Sequence, residues 1–237
     1  MTEPIRPSTV LPALRTPFTL TTSDGQTLIG EVAAPLAHPT TALLCLHPNP
    51  TGGGMMDSHI YKKAANRLPD MAGVTIVRFN TRGTTSEAGT STGEYDGGVA
   101  EKYDVQAAID YCFDVLKVSE LWIVGWSFGT EIALLHARDK RVKGLILLSP
   151  PLMKVEEKDL LFWAEDGRPI TALVPEHDDY LKPDEACKRF AVIPQLELIA
   201  VDGAKHLWVG EPYVHRVLSE IVRIIAPARL PLPTELS

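Results

Sequence analysis

The segment Leu121-Trp122-Ile123-Val124-Gly125-Trp126-Ser127-Phe128-Gly129-Thr130 passes from an apolar, strand-like stretch into a helix through Gly-x-Ser-x-Gly. A sharp strand-to-helix turn at that point holds the serine in a strained conformation, with its hydroxyl at the top of a sheet. Gly125 and Gly129 bring no side chain between strand and helix. The helix N-terminus adds a positive dipole end and free N–H groups where an oxyanion would develop. Ser127 is therefore the candidate nucleophile, and the plainer alternative is a serine that only caps the helix.

A serine hydroxyl needs an adjacent base. In this kind of sheet the chain order is serine, then a carboxylate, then histidine. After the apolar run Ile170 to Val174 comes Pro175-Glu176-His177-Asp178-Asp179, and after Leu196 to Val201 comes Asp202-Gly203-Ala204-Lys205-His206. Of seven histidines, only His206 follows the last strand, so it is the expected base. His38 lies in a Pro-rich turn, His59, His136 and His215 fall on helices, His177 is a loop neighbour of the acids, and His47 is a structural residue at the site's edge. Counting from the strand selects Asp178 as the acid, while Asp179 stays open because Pro183 follows it by four residues.

The backbone N–H of Phe128 is one oxyanion donor, and the second is expected from the loop His47-Pro48-Asn49-Pro50-Thr51-Gly52-Gly53-Gly54-Met55-Met56. Proline has no N–H, so from 48 to 50 only Asn49 can donate. The three glycines do not make a phosphate cradle, because no Lys-Ser/Thr follows and Gly-x-Gly-x-x-Gly is absent. Met55 and Met56 suit an apolar pocket. Arg78 and Arg82 either hold an acidic substrate group or pair with Glu94, Asp96 or Glu101, and ion pairing is the commoner role. Lys154 to Lys158 reads as a solvated helix face.

The elements that must position these residues alternate along the chain. Phe18 to Val32 holds two extended runs about Asp24-Gly25, a hairpin signal. Thr41 to Leu46, Val74 to Phe79, Leu121 to Val124, Leu145 to Leu148, Ile170 to Val174 and Leu196 to Val201 are strands of the near-continuous apolar kind found in parallel sheets. Helices are expected over Ser58 to Leu68, Val99 to Leu116, Gly129 to Ala137, Asp184 to Phe190 and Tyr213 to Ile225, with a short one near Glu156 to Ala164. An antiparallel start followed by βα units implies an α/β fold, one doubly wound sheet with helices on both faces. Ligands then bind beyond the carboxyl ends of the strands, where the candidate residues fall. Residues 1–16 read as an N-terminal arm and 17–237 as one domain. Only about 20 residues separate Ser149 from Ile170, too few for a separate cap domain.

Composition narrows the classes. Of 237 residues, 45% are hydrophobic and 22% charged, which argues against disorder. No run approaches the roughly 18 apolar residues of a membrane span. The net charge of −7 gives no general phosphate-binding field, so neither nucleic acid nor membrane is an expected partner. Cys45, Cys112 and Cys187 are odd in number and form no Cys-x-x-Cys, so neither a disulfide framework nor a thiolate zinc site is indicated. The first 16 residues lack the apolar core of a secretory signal, and a reduced, cytoplasmic protein is expected.

Four segments carry a family resemblance: His47-Pro48 with Gly52-Gly53-Gly54-Met55; Arg78-Phe79-Asn80-Thr81-Arg82-Gly83; Gly97 to Glu101 with Asp104; and Gly125-Trp126-Ser127-Phe128-Gly129. From the hairpin to the last helix, the chain resembles the α/β-hydrolase superfamily, and within it the small bacterial hydrolases related to dienelactone hydrolase. The resemblance implies a mostly parallel eight-stranded sheet with a minimal cap, a Ser-Asp-His triad, and no metal or organic cofactor. Two departures stand out: a serine replaces the cysteine nucleophile of dienelactone hydrolase, and Pro175 stands where the group often has glycine. The expected activity is hydrolysis of a small-molecule carboxylic ester. Thioesterase, amidase or acyltransferase chemistry uses the same parts, and a non-catalytic binding protein on this fold is the alternative from another class.

Overall fold

The computed structural model describes residues 3–37 and 41–236, so His38 lies outside the described residues. Eight strands form one sheet: β1 (Leu14–Thr21), β2 (Thr27–Ala34), β3 (Thr41–Leu46), β4 (Thr75–Phe79), β5 (Glu120–Trp126), β6 (Val142–Leu148), β7 (Ile170–His177) and β8 (Leu196–Lys205). Their order across the sheet is β8-β7-β6-β5-β3-β4-β2-β1. The hairpin β1–β2 is antiparallel, and β2 is antiparallel to β4. All other neighbours are parallel. β1 begins at Leu14, three residues before the expected domain start. Upstream, Glu3–Pro4 pairs with Glu235–Leu236, so the arm is tied to the chain's far end.

Six helices cover the two faces: α1 (His59–Ala72), α2 (Glu101–Asp110), α3 (Phe128–His136), α4 (Glu157–Asp166), α5 (Pro183–Phe190) and α6 (Glu211–Ile225). Strand side chains alternate between faces. In β3, Leu44 and Leu46 join Ile109, Ile132 and Trp163 on the face of α2 to α5. Leu43 and Cys45 join Ile60, Leu68, Val217 and Ile221 on the face of α1 and α6. Burial on both faces explains why these strands read as unbroken apolar runs.

Three helical expectations shift. α1 continues through Pro69 to Ala72 and stops at Gly73, whose φ of 68° belongs to the left-handed region. α2 begins at Glu101 rather than Val99, because the Glu101 carboxylate accepts the N–H groups of Asp96 and Gly98 and shapes the turn before it. Its last turn, Tyr111–Val115, is a wider π turn. Lys154 to Lys158 is not a helix face: Val155 is buried, and Glu156 caps α4 in a reciprocal capping box with Asp159.

Candidate active site

The strand-to-helix turn after β5 puts Ser127 at φ 53°, ψ −118°, a conformation that costs of order 1–3 kcal/mol. Steric closeness requires the two glycines. A Cβ on Gly129 would meet the Leu46 carbonyl oxygen at 1.9 Å, and one on Gly125 would meet the Gly129 oxygen at 2.4 Å. The Ser127 hydroxyl makes no capping bond to α3. It lies 2.9 Å from His206 Nε2, and His206 Nδ1 lies 2.9 Å from Asp178 Oδ2. The structure thus brings Ser127, His206 and Asp178 into one hydrogen-bonded chain. Asp179 is exposed.

The sheet register explains the pairing of acid and base. β7 and β8 run in step from Ile170 opposite Leu196 to Pro175 opposite Val201, and the next matched pair is His177 opposite Lys205. β8 therefore spends two extra residues over Asp202-Gly203-Ala204, with Gly203 at φ 66°. Asp178 and His206 each follow directly on that last pair. Both are buried, at 4% and 6% exposure. Burial alone would raise the Asp178 pKa, but the bond to His206 and the N–H groups of Tyr180 (2.8 Å) and Leu181 (3.2 Å) outweigh it and hold the carboxyl below its ordinary value.

The peptide joining Pro48 to Asn49 is held by His47. His47 is fully buried, and its Nδ1–H donates to the Pro48 carbonyl at 2.7 Å while Nε2 accepts the Thr81 N–H at 3.0 Å. Burial pushes its pKa down to about 4, so the ring is neutral with its tautomer set by these two bonds. The Pro48 carbonyl and the Asn49 N–H belong to the same trans peptide and point opposite ways. Pinning one aims the other. Among the described residues, nothing accepts the Asn49 N–H, whereas the Asn49 carbonyl accepts from Gly52 (3.0 Å) and Gly54 (2.9 Å). Gly54 must be glycine, since its Cβ would sit 2.1 Å from the Pro48 oxygen. The Phe128 N–H lies in the first turn of α3, where backbone donors have no intrahelical partner.

The arginines are ion-paired, but not to the expected partners. Arg78 bonds Glu31 (2.5 Å) and Asp57 (2.7 Å). Arg82 bonds Asp104 (2.7 Å) and Asp24 (2.8 Å). Glu94, Asp96 and Glu101 are not their partners, because β2 and the β1–β2 turn, far away in sequence, lie closer. Met55 lines a cleft beside the Gly-rich loop, and Met56 is buried with its N–H on Asn80. His59, His136 and His215 each bond a backbone carbonyl, of Leu207, Gly98 and Leu232 respectively. His177 is exposed, 3.7 Å from Glu176.

Trp126 is buried, with its ring against His59 and Tyr61. Its indole N–H donates to the His206 carbonyl at 3.1 Å, and the Ser149 hydroxyl donates to the same oxygen at 3.1 Å. Ser149 follows β6 at φ 50°. The side chain preceding Ser127 thus anchors the backbone of His206, a link invisible without the fold. Trp126→Phe keeps the ring against His59 and Tyr61, and with Ser149→Ala it strips the carbonyl of both donors. The double variant is expected to lose roughly tenfold to a hundredfold in kcat with little change in KM, because the cost is misplacement of His206 rather than lost binding. Steady-state kinetics on the single and double variants checks this, and an unchanged kcat in a folded double variant would count against it.

The family model for the alpha/beta hydrolase fold matches residues 41–167. An α/β serine hydrolase without lid from Xanthomonas campestris is 25% identical, with a TM-score of 0.70 over 90% of this chain and 96% of that one. An esterase from Pyrococcus furiosus is similar in fold alone, at 18% identity and a TM-score of 0.72 over 94% of this chain and 99% of that one. An uncharacterized protein of Rickettsia prowazekii (strain Madrid E) is 32% identical over 144 residues. That match takes in 60% of this chain and 58% of the relative, so the chain spans less than two-thirds of the relative's length. With more than half of its residues matched to the family model, the chain belongs to the alpha/beta hydrolase fold family.

Proposed function

We propose that the protein is a serine hydrolase that cleaves small carboxylic esters through an acyl-enzyme. The observation that carries the reading is the chain of two 2.9 Å hydrogen bonds joining Ser127, His206 and Asp178. Ser127 Oγ attacks the ester carbonyl carbon while His206 Nε2 takes the hydroxyl proton. The C–O bond to the alcohol then breaks, and the same proton passes from Nε2 to the departing oxygen. Water repeats the sequence on the acyl-enzyme, leaving a carboxylic acid and free Ser127. Asp178 keeps the proton of neutral His206 on Nδ1 and stabilises the imidazolium. The N–H groups of Phe128 and Asn49 hold the oxyanion. The cysteines are free thiols, two of them buried, in keeping with a cytoplasmic protein.

A fluorophosphonate probe tests the nucleophile: stoichiometric labelling that maps to Ser127 supports the reading, and an inert Ser127 favours a binding protein on the same fold. Access to the site gives a second expectation. The connection from β6 to β7 holds only α4, whose Trp163 is fully buried in the core. An uncapped site favours short, soluble esters and gains nothing at a lipid interface. A p-nitrophenyl ester series should peak at short acyl chains, and higher kcat/KM on emulsified long-chain triglycerides would contradict it.

A further inference from the structure

We propose that the alcohol portion of the ester is apolar and ring-sized, and that Tyr180, with Leu207 and Val209, forms the surface that receives it. The inference rests on the serine hydrolase reading. For His206 Nε2 to protonate the departing oxygen, that oxygen must lie within hydrogen-bond reach of the imidazole. The leaving group is therefore confined to the His206 side of Ser127, while the acyl carbon stays on Oγ and the oxyanion turns toward Phe128 and Asn49.

The surface beside His206 is apolar where solvent-facing loops are normally polar. The Tyr180 ring stands 4.7 Å from the His206 ring, centroid to centroid, at a tilt of 59°, and the residue is 58% exposed. Leu207 and Val209, on the loop after His206, are 55% and 70% exposed. A cavity of about 320 Å³ takes His206, Leu207, Val209 and Tyr213 into its wall, with Asp179 and Lys205 as its charged members. Single exposed apolar residues need no explanation, but a cluster against a reactive side chain marks a binding surface. Tyr180 is not in that wall but stands against the His206 ring that is, and 320 Å³ is more than methanol or ethanol fills and enough for a six-membered ring.

The surface is also held in place before substrate arrives. The Tyr180 N–H donates to Asp178 Oδ1, and the Leu207 carbonyl bonds His59 Nε2 at 2.6 Å. The triad acid and α1 therefore set the two backbones that carry the apolar side chains, which lowers the ordering cost of binding. The cleft beside the loop that carries Asn49, bordered by Met55, Thr84, Thr85 and Tyr95, is left for the acyl group.

Benzyl acetate and ethyl acetate share an acyl group and have alcohols of similar acidity, so their kcat/KM ratio reports the leaving-group surface. Ethyl acetate and ethyl butyrate report the acyl side. The full-length protein is expected to prefer benzyl over ethyl acetate by roughly tenfold or more. Tyr180→Ala should lose about three- to tenfold of that preference, chiefly through KM for benzyl acetate, and Tyr180→Phe should keep it. The butyrate-to-acetate ratio should not move. A parent with no benzyl preference overturns the proposal. So does a Tyr180→Ala variant that slows both acetates equally, or one that changes the acyl ratio instead. Fluorophosphonate labelling run in parallel separates the two claims: labelled protein without benzyl preference sinks only the leaving-group surface, and unlabelled protein sinks the hydrolase reading with it.

Discussion

Ser127→Ala is expected to fold like the parent and to lose about 10³-fold or more of its esterase turnover. The fold should survive because the hydroxyl contributes nothing to α3: it makes no capping bond, and its partner is the His206 ring. A lost helix cap would cost about 1 kcal/mol, and that term is absent here. Alanine keeps the Cβ and inherits the same φ of 53°, so the stored backbone strain is unchanged. Without Oγ, no acyl-enzyme forms, and what remains is the stabilisation that the N–H groups of Phe128 and Asn49 give to attack by water. The variant is assayed on p-nitrophenyl acetate beside fluorophosphonate labelling and a thermal melt. A folded variant with near-parental turnover would refute the mechanism.

Asp178→Asn is expected to lower kcat by about 10³- to 10⁴-fold, and Asp179→Asn by far less. The amide at 178 still has an oxygen for the Tyr180 and Leu181 N–H groups. Its NH₂ then faces His206 Nδ1 and forces the ring proton onto Nε2, where it can no longer take the Ser127 proton. The carboxylate that the amide replaces also stabilises imidazolium, which an amide does not. Asp178 is held ionised to below its ordinary pKa of 3.8. Asp178 therefore adds no step of its own to the kcat/KM profile above about pH 4. Kinetics on the two variants, each checked for fold, decides the assignment. If Asp179→Asn proved the more damaging, the acid would be Asp179.

Much of this site was legible in the chain because its signals are local. Gly125-Trp126-Ser127-Phe128-Gly129 demands a strand before it and a helix after it, and both are present within two residues of the expected limits. Apolar runs such as Thr41 to Leu46 mark buried strands because parallel strands are covered on both faces. The two prolines around Asn49 leave it the only backbone donor from 48 to 50. Other assignments were not legible. Arg78 and Arg82 were expected to pair with acids nearby in sequence, but their partners Glu31, Asp57, Asp24 and Asp104 come mostly from distant segments. Lys154 to Lys158 has the composition of a solvated helix, and only the packing of Val155 and the cap at Glu156 show otherwise.

By itself, then, the sequence determined the elbow, the serine–carboxylate–histidine order, the alternation of strands and helices, and the loop that carries Asn49. Each is set by residue types within a few positions of one another, through sterics, periodicity and the missing N–H of proline. Only the tertiary structure decided which carboxylate reaches His206. That depends on two extra residues in β8, which bring Lys205 opposite His177 and so set His206 beside Asp178 rather than Asp179. It also decided that Trp126 and Ser149 share the His206 carbonyl and that His47 aims the Asn49 peptide. These are contacts between segments up to about 80 residues apart, and no local pattern encodes them. Strand register and the direction of a buried side chain are fixed when the sheet closes and its two faces are covered, because only then does each buried donor find the acceptor it is left with.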